Sequence, residues 1–193
     1  MKFFSLSLIV ALLAGCSASI DPIEPPGELS VFKHGLELQP RWNRKVGSGT
    51  GGHYLRLMPL LDAERLYVAD RYGDVRAFHS LDGELIWRTH LQGAITAGPG
   101  KSGDLLLFGS DAEVVALDKQ NGELRWRSFI GSEVLSTPVS SGNIIVVHAV
   151  DGSITALRRA EGTMLWRHLE GVPSLTLHGN SRPLIVSANR VIV

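Results

Sequence analysis

From about residue 54 onward the chain is a succession of short apolar runs separated by polar turns. Leu105-Leu-Leu-Phe108 and Ile144-Ile-Val-Val147 are apolar throughout, the pattern of a strand buried on both faces. Between such runs sit Asp82-Gly83, Asn121-Gly122, Asp151-Gly152 and Glu161-Gly162, where glycine reaches the positive φ that hairpin loops require. Beyond the N-terminal segment no stretch keeps helical periodicity for two turns. The pattern predicts an all-β protein, with the clearest strands near 136–139, 143–148, 153–157 and 164–168.

Those four strand patterns belong to a repeat. Ala77-Phe78, Ala116-Leu117 and Ala156-Leu157 are each followed five residues later by Gly83, Gly122 or Gly162, and four residues after that by Trp87, Trp126 or Trp166. The tryptophans are spaced by 39 and 40 residues, and Pro59, Pro99 and Pro138 open the units at spacings of 40 and 39. Four-stranded units repeating at this period are the signature of a β-propeller. A single blade cannot bury both of its faces, whereas radial stacking does. Each tryptophan is expected to pack its ring between neighbouring blades, with a partner for its indole N–H.

The ends carry pieces of further blades. Trp42-Asn-Arg-Lys-Val-Gly47 matches Trp126-Arg-Ser-Phe-Ile-Gly131 with no blade before it, so a closing strand is expected at 41–47. Blades are expected near 54–93, 94–131 and 132–171, and the start of a fourth over 172–193, beginning at Pro183-Leu-Ile-Val186. Three blades and two pieces cannot close a ring, and an open ring leaves unpaired strand edges. The sequence therefore reads as a partial β-propeller, a portion of a longer chain.

The N-terminal segment stands apart. Lys2 precedes a largely apolar run of eleven residues, Phe3 to Leu13. A bilayer core of about 30 Å needs about 20 helical residues to span it, so residues 1–15 read as a signal peptide. Leu13-Ala14-Gly15-Cys16 resembles the lipobox of bacterial lipoproteins. That resemblance implies cleavage after Gly15 and acylation of Cys16, palmitate-type chains included, which exceeds the two signals needed for stable anchoring. Ser17 in the next position implies the outer membrane, periplasmic face. Residues 16–40 hold Pro22, Pro25, Pro26, Gly27 and Pro40 without apolar periodicity, and read as a flexible tether.

Composition narrows the functions. Nineteen Lys and Arg balance 19 Asp and Glu, so the chain has no bulk attraction for phosphate and nucleic acid is a poor partner. The one cysteine excludes an internal disulfide and a Cys-rich zinc site. The seven histidines show no metal-binding spacing, so no metal is expected. Gly47-Ser-Gly-Thr-Gly-Gly52 satisfies a dinucleotide fingerprint in letters only; with no helix after it, it reads as a flexible loop leaving the closing strand.

The motif Ala116-Leu-Asp-Lys-Gln-Asn-Gly-Glu-Leu-Arg-Trp126 resembles the repeat first described in pyrroloquinoline-quinone enzymes. The lipobox, the tether, Trp42 with Val46-Gly47-Ser48-Gly49, Tyr67-Val-Ala-Asp-Arg71 and Val172-Pro-Ser-Leu-Thr-Leu-His-Gly179 are more specifically similar to the BamB family of outer-membrane β-barrel assembly lipoproteins. That resemblance implies the first half of an eight-bladed ring. It further implies a non-enzymatic scaffold, without a small-molecule cofactor, that binds the periplasmic POTRA domains of BamA within the BAM complex. Leu175, Leu177 and His178 fall on the family's contact loop, with His178 where the family often has Arg. Taken from the residues alone, Leu175 and Leu177 read equally as cover for blade core. Two other functions remain open at this point: a quinoprotein-type dehydrogenase on the same blade type, and a different periplasmic ligand-binding propeller.

Overall fold

The computed structural model describes residues 35, 38–171, 181–187 and 190–193. Pro40–Val193 forms one compact unit. Among its described residues there are fifteen strands and no helix: β1 (Arg56–Leu57), β2 (Leu60–Asp62), β3 (Arg65–Ala69), β4 (Asp74–His79), β5 (Leu85–His90), β6 (Ile95–Ser102), β7 (Leu105–Ser110), β8 (Glu113–Asp118), β9 (Leu124–Phe129), β10 (Val139–Ser141), β11 (Ile144–His148), β12 (Ser153–Arg158), β13 (Met164–Leu169), β14 (Leu184–Ser187) and β15 (Arg190–Ile192).

They form consecutive antiparallel sheets in chain order, β2-β3-β4-β5, then β6-β7-β8-β9, then β10-β11-β12-β13, with β14-β15 beginning another. The architecture is a partial β-propeller with three four-stranded blades and two strands of a fourth. The first strand of the third blade starts at Val139 rather than at the expected Ser136. Pro138 has no N–H to give a ladder, so pairing begins just beyond it.

Why the blades stack is visible in which side chains they bury. Leu106 and Phe108 of β7, with Val115 and Leu117 of β8, pack against Tyr67, Val75, Ala77 and Trp87 of the first blade. The alternate residues Leu105, Leu107, Val114 and Ala116 pack on the other side, against Ile145, Val147 and Leu157 of the third. A strand sandwiched between two blades has no polar face, so β7 is buried at five of its six positions. Val139, Val146 and Ile154 of the third blade meet Ile185 and Val191 of the fourth.

Near the inner strands the blades are also stitched by hydrogen bonds. β1 passes its own blade and pairs parallel with β6, Arg56 opposite Ala97. Thr96 Oγ1 donates to Val134 O at 2.7 Å, tying β6 to the entry of the third blade.

No strand forms over the expected closing segment 41–47. It lies instead as a strap on the first blade. Arg76 Nη1 donates to Lys45 O at 3.2 Å, and Arg44 Nε donates to Gly83 O at 3.0 Å. The glycine-rich stretch that follows is tied as well: Ser48 N–H donates to Asp70 Oδ2 at 2.9 Å and Arg71 N–H to Gly49 O at 3.0 Å. The buried carboxylate of Asp70, which the sequence does not distinguish from other turn acids, is what pins a run read as a free loop.

Candidate functional site

Between blades the recurring device is a latch of one tryptophan and one glycine. In every blade the loop joining the last two strands closes the same way. Gly83 N–H donates to His79 O, Gly122 N–H to Asp118 O and Gly162 N–H to Arg158 O, at 2.8 to 2.9 Å. Each of these glycines has φ between 70° and 76°. A side chain there would also strike an indole: a Cβ on Gly83 would lie 2.7 Å from Trp42, one on Gly122 2.5 Å from Trp87, and one on Gly162 would meet Trp126 in the same manner. Left-handed backbone and ring contact both demand glycine.

The ring is then locked by its N–H. Trp42 Nε1 donates to Ser80 O at 2.9 Å, Trp87 Nε1 to Lys119 O at 3.2 Å and Trp126 Nε1 to Arg159 O at 2.9 Å. Each of these three tryptophans therefore latches onto the blade that follows it in sequence. Trp87 and Trp126 are 9% and 8% exposed, whereas Trp166 of the third blade is 42% exposed.

Charged groups reinforce the frame. Lys119 O also accepts from the Tyr67 hydroxyl at 3.2 Å, and the Asp62 carboxylate bridges Lys101 and Lys119 across the first two blades. The hydrogen bonds from Lys101 and Lys119 hold the Asp62 carboxyl below its ordinary value. Arg76 and then Arg88 do the same for buried Asp74, against the opposing effect of its burial.

Sequence reading missed a second periodic feature. An arginine follows each blade tryptophan and pairs with an acid near the start of the preceding strand: Arg88 with Asp74 at 2.8 Å, Arg127 with Glu113 at 3.0 Å and Arg167 with Asp151 at 2.6 Å. The Trp-Arg dipeptide occurring three times was the available signal.

The lipid-attachment cysteine Cys16 and the expected partner residues Leu175, Leu177 and His178 lie outside the described residues. Ser181, the first described residue after them, has its carbonyl oxygen 3.2 Å from His148 Nδ1. Close by, Pro183, Leu184 and Ile185 line a cleft of about 470 Å³ with Val139, Ser140 and Ser141. No group of three His, Cys, Asp or Glu side chains placed to hold a metal occurs among the described residues.

Four-stranded blades stacked face to face, with a tryptophan–glycine latch between the first and second and between the second and third, define a β-propeller protein of the pyrroloquinoline-quinone-like repeat class. A family profile described as outer membrane protein assembly factor BamB matches residues 71–193. The chain belongs to that family. It is 36% identical over 187 residues to the outer membrane protein assembly factor BamB of Vibrio cholerae, covering 93% of this chain and 47% of that protein. The crystal structure of BamB from Moraxella catarrhalis superposes with a TM-score of 0.65 at 26% identity, covering 69% of this chain and 41% of that one. A europium-containing methanol dehydrogenase, at 15% identity and a TM-score of 0.51, shares the fold alone. The chain spans about half the length of the curated relatives it matches.

Proposed function

We propose that this chain is a non-enzymatic scaffold of outer-membrane protein assembly, held at the periplasmic face of the outer membrane by acylated Cys16. In this reading it binds the periplasmic POTRA domains of BamA through Leu175, Leu177 and His178. The observation that carries the reading is the family match over residues 71–193, which takes in the last two latched blades and the whole 172–180 segment. The latch geometry supports it: the groups repeated between successive blades at Trp87 and Trp126 are spent on holding blades together, which suits a rigid platform for protein contacts. Two apolar side chains two residues apart, on a segment joining blades, suit anchoring of a partner, with backbone groups available for strand pairing.

The test is recovery of BamA with the affinity-tagged full chain from solubilised membranes. Leu175→Ala combined with Leu177→Ala is expected to lower recovery by about tenfold, the loss expected of apolar anchors at an interface. Unchanged recovery with the far-ultraviolet spectrum intact would reject the assignment of this segment. Cys16→Ser is expected to release the chain from the membrane fraction while leaving its fold unaltered.

A further inference from the structure

The latch loops of the three blades are built alike but not from the same residue. Before the positive-φ glycine stand Asp82, Asn121 and Glu161, so the loop of the second blade is the one that carries a side-chain amide there. Asn121 is exposed, while Gly122 is buried under the Trp87 ring. Asn121 Oδ1 accepts from Glu123 N–H at 3.0 Å, which folds the side chain back along its own backbone, over the peptide it shares with Gly122. That N–H is also a donor placed on the oxygen that would take up negative charge if the Gly122 nitrogen attacked the amide. Three contacts hold the nitrogen back. Gly122 N–H donates to Asp118 O at 2.9 Å, Thr89 Oγ1 of the first blade donates to Gly122 O at 2.7 Å, and Trp87 covers the loop while donating to Lys119 O.

We propose that Asn121–Gly122 is a site of spontaneous deamidation gated by the junction of the first two blades. When the latch opens, the freed Gly122 nitrogen attacks Asn121 Cγ. The new N–C bond closes a five-membered imide, and the side-chain nitrogen leaves as ammonia, taking up the proton that the Gly122 nitrogen gives off. Water then opens the imide at either of its carbonyls, giving aspartate or isoaspartate. The net change is amide plus water to carboxylic acid plus ammonia, with no oxidation or reduction. The first blade forecasts the fate of the products. Asp82 holds the matching position and accepts from Glu84 N–H at 2.9 Å, so aspartate at 121 rebuilds a loop the fold already uses. Isoaspartate instead adds a carbon atom to the main chain just before Gly122, and the glycine no longer seats under Trp87. Ageing at this bond therefore loosens the first junction and leaves the second latched.

The experiment incubates the purified full chain in mildly alkaline buffer and follows conversion at Asn121 by peptide mass mapping, with isoaspartate told apart by fragmentation. The folded chain is expected to convert, more slowly than the chain unfolded in urea. Trp87→Phe keeps a ring over Gly122 but removes the indole donor, and should speed conversion about fivefold by raising the open population. Thr89→Val, which removes the donor to Gly122 O, should act in the same direction. Trp126→Phe loses the matching donor at the next junction and should leave the rate at Asn121 unchanged. Asn121→Asp should keep the wild-type melting temperature and the slow exchange of the Trp87 indole N–H, whereas the isoaspartate fraction exchanges that proton faster. No conversion in the folded chain, equal rates in folded and unfolded chain, or equal rates in the Trp87 and Trp126 variants would overturn the proposal.

Discussion

Ala63 has φ of 51°, at the turn where the second and third blades hold Gly103 at 60° and Gly142 at 57°. An L side chain in this region crowds its own carbonyl, at a cost of about 1–2 kcal/mol, and glycine recovers part of that while losing more chain entropy on folding. Ala63→Gly is therefore expected to raise unfolding free energy by up to about 1 kcal/mol, and Gly142→Ala, where an added Cβ meets nothing within 4 Å, to lower it by about 1 kcal/mol. Urea titration of the two variants checks the opposite signs. Gly103 and Gly142 could be read as turn residues from the sequence; Ala63 could not, because alanine carries no turn signal and only backbone geometry exposes the strain. The buried role of Asp70 was hidden for a similar reason. Its partners, Ser48 N–H and Asp74 N–H, come from two different elements.

At the scale of strands and loops, the tryptophan and glycine spacings were legible, but their pairing was not. Within one repeat Gly83 precedes Trp87 by four residues, yet the indole it meets is that of Trp42. A latch joins one repeat to the next, and adjacency across blades leaves no mark in a single repeat. The consequence is a graded set of variants. Trp126→Ala removes a nearly buried ring and its hydrogen bond, and is expected to cost about 3–5 kcal/mol; Trp166→Ala, at a half-open site, should cost less than about 1 kcal/mol. Thermal melts of both would show the contrast. The carboxylates at the first blade and its junction add a pH dependence. Asp62 and Asp74 have lowered values in the folded chain, so the unfolded chain binds more protons between the folded and unfolded values. Their contribution is fully present above about pH 4, the ordinary carboxylate range, and is lost as pH falls through the folded values. Stability should be level from neutral pH down to about pH 5 and then decline. Asp62→Asn with Asp74→Asn should flatten that decline, as denaturant midpoints across pH would record.

For the molecule as a whole, each blade contacts only its neighbours, so stability is close to a sum of blade terms and junction terms. The strap at 41–49 covers one outer face of this series, with the Trp42 ring 6.4 Å from that of Phe78. Trp42→Ala is expected to raise amide exchange in β3 and β4 by about tenfold or more, while β11 and β12 keep their protection. A uniform rise across all blades would contradict this modular account. The expected closing segment 41–47 pairs with no sheet among the described residues. Its hydrogen bonds run to a loop, to two side chains and to a turn rather than to a sheet edge.

By itself the sequence determined the all-β class, the forty-residue period, the buried second strands and the family. Those features are written in local periodicity and in residue types that geometry leaves few alternatives to, such as glycine at positive φ. Only the tertiary structure decided which tryptophan serves which glycine and which carboxylate holds the strap. Those depend on residues some 22 to 41 positions apart being brought together in the tertiary structure, and no spacing within one repeat encodes that meeting.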